Sequence, residues 1–243
     1  MTAPEETQAA GGSASGNTAS HNAQERLVVA IDGPSGSGKS SVAKEAARRL
    51  GAAYLDTGAM YRAVTWHCLD AGTDLTDADA VARAVREADL SISTDPGLER
   101  IAIHGTDVTT TIREPFVSEA VSAVATNLEA RAELVRRQRA IIGEQPRIVA
   151  EGRDITTVVA PDAHCRILLT ASEEARMRRR GLQLGGATAE ALQRQVVERD
   201  AKDSTVTNFT TATDGVHTLD SSDLDFEQTV QAVLTLVERA PRA

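Results

Sequence analysis

Eight consecutive residues, Gly33-Pro34-Ser35-Gly36-Ser37-Gly38-Lys39-Ser40, match the spacing GxxxxGK[ST] at every fixed position. Glycines so spaced let successive backbone N–H groups turn inward around phosphate oxygens. A lysine there reaches the outer phosphates of a nucleoside triphosphate, and a serine hydroxyl offers a ligand to magnesium. Gly33 through Ser41 are therefore expected to hold ATP, with Lys39 catalytic and Ser40 on the metal. Such a loop serves GTPases, motor ATPases and kinases alike, so other residues must separate them. Ala201-Lys202-Asp203-Ser204 lacks the Asn and the correctly spaced Asp of a guanine-reading NKxD; no DxxG switch occurs, and no apolar strand ends in an Asp-Glu pair.

The remaining polar clusters suit an anionic acceptor. In Leu55-Asp56-Thr57-Gly58-Ala59-Met60-Tyr61-Arg62, Thr57 stands at a helix start and Arg62 about one turn inside it, so both can face one anion. Taken alone, Arg62 would be an ordinary exposed helix residue. Glu151-Gly152-Arg153-Asp154 directly follows an apolar strand, where charged residues lie over the ligand edge of a sheet.

These residues need a strand and a helix on either side of the Gly-rich turn, and the hydrophobic pattern provides both. Leu27 to Asp32 is a short apolar run; from Lys39 the spacing is helical through Leu50, and Gly51 is placed to end it. A second helix is predicted over 59–69, and Thr76 with Asp79 resembles a capping box for a third. Period-two alternation over 90–93 and 100–104, followed by Gly105-Thr106-Asp107-Val108, predicts short antiparallel strands. Helices follow at about 114–126 and 128–142. Arg147 to Ala150 and Cys165 to Leu169 have the form of strands covered on both faces of a parallel sheet. Ser172 is placed to cap a helix carrying Arg176 to Arg180; Leu184-Gly185-Gly186-Ala187 breaks it, and Thr188 opens another reaching about Lys202. Val216 to Leu219 is a last strand before a helix near 226–238. This alternation predicts an α/β fold, a doubly wound parallel sheet with ligands beyond the carboxyl ends of its strands, interrupted by a small inserted lobe at 90–112.

A chain of 243 residues, 41% hydrophobic, suffices for one folding unit. Residues 1–25 lack apolar periodicity and are expected to form a disordered tail. No secretory h-region and no run of 18 apolar residues occurs, so a cytoplasmic protein with no membrane partner is expected. Cys68 and Cys165 stand apart, without metal-ligand spacing, and read as buried thiols. A net charge of -9 disfavours nucleic acid as a partner, yet several of the arginines between 131 and 199 can turn toward a small phosphorylated ligand.

Taken together, IDGPSGSGKSSVAK, LDTGAMYRAV, the 113–122 helix, RRQR at 136–139, EGRDITTVVAPDA at 151–163 and ERD at 198–200 resemble the bacterial cytidylate kinase family over about residues 26–238. That resemblance implies a P-loop kinase with a core (26–58, 146–172 and 207–238), a monophosphate-binding lobe (about 59–145) and a helical lid (about 173–206), followed by a C-terminal tail at 239–243. It implies transfer of the γ-phosphoryl group of ATP to CMP or dCMP with Mg2+, by a monomer. Thr57, Arg62 and Arg153 would hold the acceptor phosphate and its surroundings, and Ser122, Arg131 and Asp154 would read cytosine. Arg199 and Asp203 would close over the phosphates and ribose, with Arg153 and Arg199 catalytic beside Lys39. A carboxylate suits the N4 amino donor of cytosine and a guanidinium its N3 and O2 acceptors. The sequence departs from the family pattern at Asp203-Ser204-Thr205-Val206, where an arginine is expected near 206. Either Arg176, Arg178, Arg179 or Arg180 covers that role or charge stabilisation is reduced. Kinases for UMP, dTMP or a shikimate-like acceptor, and a regulator that binds ATP without making product, remain the alternatives.

Overall fold

The computed structural model describes residues 25–183, 197 and 199–241. The expected tail up to residue 24, the break at 184–187, the start of the helix expected from Thr188, and residues 242–243 lie outside the described residues. The chain opens with β1 (Leu27–Asp32), α1 (Lys39–Leu50), β2 (Ala53–Asp56) and α2 (Thr57–Asp70). Next come α3 (Ala78–Glu87), β3 (Leu90–Ile92), β4 (Ile101–Ile103) and β5 (Thr106–Asp107), then α4 (Pro115–Ala125) and α5 (Leu128–Glu144). β6 (Arg147–Gly152), a π-helical turn (Ile155–Val159), β7 (Cys165–Thr170) and α6 (Glu173–Gln183) follow. A short helix Arg199–Asp203, β8 (His217–Asp220) and a C-terminal helix Phe226–Arg239 complete the described chain.

Five strands form one sheet in the order β2-β6-β1-β7-β8, every pair parallel. Alternation along the strands separates two apolar layers. Val28, Ala30, Ile148 and Ala150 pack under α2, α4 and α5, while Val29, Ile31, Val149 and Ile167 pack under α1 and the C-terminal helix. These strand side chains are almost wholly buried; each valine and isoleucine contributes about 1.5–3 kcal/mol on removal from water. The doubly wound sheet expected from the alternating pattern is what the chain adopts. Among the described residues no helix is long and apolar enough to cross a membrane.

The register aligns Asp32 with Gly152 and Asp56 with Glu151, so the carboxyl ends of three neighbouring strands place acidic residues along one edge. β3, β4 and β5 make the separate antiparallel sheet expected in the inserted lobe. Its two-residue turn, His104-Gly105 with φ 47° and 78°, has the left-handed geometry that a tight hairpin requires. The lobe also touches the main sheet: the Tyr54 amide on outermost β2 donates to the Thr94 carbonyl at 2.8 Å.

Three local expectations need correction. β2 is not predicted by the hydrophobic pattern, because four residues running straight into a helix are too few to display a period. α2 begins at Thr57 rather than 59, since the Asp56 carboxylate accepts from the Ala59 amide at 2.7 Å and caps it. The cap of α3 is Asp77, whose Oδ1 accepts from the Asp79 and Ala80 amides at 3.0 Å each. Thr76 instead directs its hydroxyl to Asp74 at 2.7 Å.

Candidate active site

The Gly-rich octapeptide bridges β1 and α1. Gly36 and Gly38 have φ of 78° and 88°, and Gly38 is the residue before α1. Gly33 is needed for space: a Cβ there would lie 2.2 Å from the Leu169 carbonyl oxygen. α1 has no side-chain cap and no acidic residue in its first turn, so its positive end is left for an anion from outside the helix. Lys39 Nζ donates to the Pro34 carbonyl at 3.3 Å, and Ser40 Oγ donates to Glu151 Oε1 at 2.7 Å.

Over the carboxyl edge of the sheet lies a cavity of about 740 Å³, of a size that suits a small-molecule ligand. Ser35, Gly36, Gly38, Lys39, Ser40 and Ser41 form its wall at the loop. Arg62, Arg113, Arg131, Arg153 and Arg180 face it with Lys39, and Asp56, Glu151, Asp154 and Asp203 supply carboxylates. Gly33, Pro34 and Ser37 shape the loop behind that wall.

Next to Ser40 the groups are buried and strongly interacting. Burial, followed by the negative charge of Asp56, pushes Glu151 up to about 7. Burial acts to raise Asp56 too, but Arg62, 3.2 Å away, and the Ala59 amide outweigh it and hold this carboxyl below its usual range. Tyr54, whose hydroxyl lies 3.4 Å from Glu151, is pushed upward by burial and by that carboxylate. Hydroxyl and carboxylate oxygens around Ser40 form a hard donor set of the kind magnesium prefers. No cluster of three or more His, Cys, Asp or Glu with metal-binding geometry occurs among the described residues.

The other expected site residues fall into two groups. Thr57 lines the cavity and donates its hydroxyl to the Glu151 carbonyl at 2.8 Å. Arg131, from α5, pairs directly with Asp154 and also donates to the Ala125 carbonyl at 3.2 Å. Burial raises Asp154 against the opposing pull of Arg131. Ser122 does not line the cavity; its hydroxyl donates to Asp203 at 3.2 Å.

Arg153 is the hub of the second group. It donates to Ser35 Oγ at 2.6 Å, pairs with Asp200 at 2.8 Å, pairs with Asp203, and stacks 4.6 Å from the centroid of the fully buried Phe209 ring. Asp200 also accepts from the Ser35 amide at 3.1 Å and from Arg176 at 2.6 Å. The arginines of α6 divide by position. Arg176 bonds Asp200 and the Ser35 carbonyl, while Arg179 braces the loop from behind through the carbonyls of Ser37, Ser221 and Leu224. Arg178 is solvent-exposed and Arg180 lines the cavity. Arg199 opens the helix carrying Asp200 and Asp203, and its side chain lies outside the described residues.

Four participants carry no signal of their role in the sequence: Asp32, Asp56, Glu151 and Asp200. Glu151 lies at a strand exit, a position that marks it as charged near the ligand edge but does not reveal its bond to Ser40. Asp200 sat in the noted ERD triplet, where an acidic residue after an arginine on a helix gives no sign of pairing with a loop 165 residues away. Asp32 is 2% exposed and accepts from the Ile155 amide, the Thr156 amide and the Thr156 hydroxyl at 2.8, 2.8 and 2.6 Å. It thereby ties the start of the Gly-rich loop to the turn that follows Arg153-Asp154. Burial pushes Asp32 up to about 6.

Comparison with known proteins adds a second line of observation. The family model described as cytidylate kinase matches residues 29–239. A cytidylate kinase of Nocardia farcinica is 48% identical over 217 residues, covering 87% of this chain and 93% of that protein. One of Streptomyces avermitilis is 44% identical over 215 residues with the same coverage. One of Mycobacterium avium is 47% identical over 219 residues, covering 88% and 96%.

Proposed function

Because the chain belongs to the cytidylate kinase family, we propose a division of its cavity between two nucleotides. The protein is an ATP-dependent transferase that moves the γ-phosphoryl group of ATP to CMP or dCMP, giving ADP and CDP or dCDP. The Gly33–Ser41 loop holds the donor phosphates, with the amino end of α1 and Lys39 drawing negative charge to that end. Thr57, Arg62 and Arg153 hold the acceptor phosphate. Asp154 accepts from the N4 amino group of cytosine, and Arg131 donates to N3 or O2. Ser122 acts on the base through Asp203, and Asp203 with Arg199 serves the ribose and phosphates.

The observation that carries this reading is the Arg131–Asp154 pair, which lines the same cavity as Lys39 and Ser40. Such a donor and acceptor face cytosine with matching groups, whereas the O4 of uracil would meet a carboxylate as acceptor against acceptor. Polar sites of this kind discriminate strongly. Magnesium would be held by Ser40 together with the donor phosphates, with Glu151 orienting the serine hydroxyl; when bound, the ion would neutralise charge on the phosphate oxygens. The acceptor phosphate, with a second pKa near 6, is already largely dianionic at neutral pH, so no general base is assigned. The protein's own contribution is alignment and neutralisation: Lys39 at the donor, and Arg62 and Arg153 at the acceptor.

The test is a rate panel with ATP and magnesium over CMP, dCMP, UMP, AMP and shikimate. CMP and dCMP are expected to be converted to their diphosphates fastest. Absence of any CDP, or faster conversion of another acceptor, would overturn the assignment.

A further inference from the structure

The spacing that defines the Gly-rich loop leaves residue 35 free to be any type, yet all three polar groups of Ser35 are engaged by side chains from elsewhere in the chain. Its amide donates to Asp200 Oδ1 at 3.1 Å and Oδ2 at 3.2 Å. Its hydroxyl oxygen accepts from Arg153 at 2.6 Å, and its carbonyl accepts from Arg176 at 3.0 Å. The three partners also hold one another: Asp200 pairs with Arg153 at 2.8 Å and with Arg176 at 2.6 Å. Asp200 thus touches every other member of the set.

The carboxylate does this from behind the site. Asp200 is 9% exposed and does not line the cavity, whereas Ser35 and Arg153 both do. On the far side of the loop α6 abuts the backbone directly, since a Cβ on Gly36 would lie 2.7 Å from the Arg176 carbonyl oxygen. The loop is therefore clasped between α6 and the helix Arg199–Asp203, with Asp200 as the joint. A buried carboxylate bonded to an amide and two guanidinium groups fixes the direction of each, and its removal leaves buried charge unbalanced. In-line transfer is intolerant of such loosening, because an error of about 1 Å in alignment costs about a hundredfold in rate.

We propose that Asp200 is a positioning residue, which fixes Arg153 to the donor loop through Ser35 and so sets the acceptor phosphate and the donor phosphates in one frame. It touches neither nucleotide and exchanges no proton. Its effect reaches the reaction through the direction of the Arg153 guanidinium and the placement of the loop at residue 35. This rests on the reading of Arg153 as a residue that holds the acceptor phosphate.

The experiment measures steady-state CDP formation from ATP and CMP with magnesium for purified wild type, Asp200→Asn, Asp200→Glu, Ser35→Ala, the Asp200→Asn, Ser35→Ala double variant and the exposed control Lys202→Ala. Circular dichroism at the assay temperature gives the folded fraction to which each rate is normalised. Asp200→Asn is expected to lower kcat about thirtyfold and Ser35→Ala about tenfold, with both KM values within about threefold. Asp200→Glu is expected to fall between Asp200→Asn and wild type, and Lys202→Ala to match wild type. Because Ser35 carries the link, the double variant should be no more than about twofold slower than Asp200→Asn alone. A merely structural carboxylate would lower the folded fraction and leave kcat per folded molecule at the wild-type value, which would overturn the proposal. Wild-type kcat in Ser35→Ala would overturn it too, as would single losses that multiply in the double variant, since Asp200 would then act apart from the loop. If Asp200→Asn does not fold, Asp200→Glu decides: it keeps a charge for both arginines but moves it by one methylene, and wild-type kcat there would refute a positional role. A wild-type enzyme that forms no CDP would instead overturn the cavity reading on which the proposal rests.

Discussion

At the Lys39 end of the cavity every loop group comes from consecutive residues between β1 and α1. The Arg131–Asp154 end is assembled from α5 and the exit of β6, joined through Asp203 and Ser122 to two further helices. The first end works mainly through backbone: glycine torsions, amide directions and the open end of a helix. The second works through long side chains held in mutual pairs, each needing an opposite charge to stay in place once buried. A backbone site is ready before its ligand arrives. A side-chain site must exchange its internal partners for the ligand, so its selectivity depends on how well the ligand replaces them.

This contrast can be pressed by substitution. Lys39→Ala removes the cation that the loop adds to its backbone cradle, and turnover is expected to fall about a thousandfold, with the thermal midpoint nearly unchanged because the loop's shape is held by glycine torsions and by bonds to Asp200 and Arg179 that the substitution leaves in place. Comparable loss from the backbone alone, with Lys39→Ala near wild-type rate, would break the comparison. At the far end, Asp154→Asn is expected to lower kcat/KM for CMP about a hundredfold while narrowing the gap to UMP, since an amide can donate to O4. Parallel rate series with both nucleotides measure this, and an unchanged ratio would remove the base from that end.

A smaller effect sharpens the link between the ends. Asp32 joins the loop to the turn after Asp154, and its folded-state value of about 6 stands above the ordinary 3.8. The folded protein thus binds this proton more tightly than the unfolded chain does. The stabilisation is complete below about pH 4 and is lost as pH rises through 6. Asp32→Asn does not titrate, so the stability of wild type minus that of variant should decrease by about 2 kcal/mol between pH 4 and pH 6. Denaturant melts across that range read it directly, and a constant difference would show that burial does not perturb this carboxyl.

What could be read from the sequence follows the same division. Gly33 to Ser40 form one uninterrupted motif between a recognisable strand and helix, and Thr57 and Arg62 lie in one short segment at a helix start, from which both line the cavity. Ser40 with Glu151, and Asp32 with Thr156, are separated by 111 and 124 residues. They meet because β6 lies beside β1 and between it and β2, an order that spacing along the chain does not encode. Resemblance supplied Arg131, Asp154 and Asp203, yet it did not indicate Asp200 against Ser35. A docked carboxylate depends on the approach of a helix rather than on any local pattern. β2 escaped for a different reason: four residues that end in a helix cap leave no period to detect.

The hydrogen bond from the Tyr54 amide to the Thr94 carbonyl has a bearing on colloidal behaviour. β2 is the terminal strand of a parallel sheet, and an uncovered terminal strand is a template on which foreign chains can zip. The loop that follows β3 engages that row, so the lobe beside the acceptor end also acts as a bumper against sheet extension. A protein shortened by excising residues 93–100 would keep its phosphate cradle and acquire a sticky border.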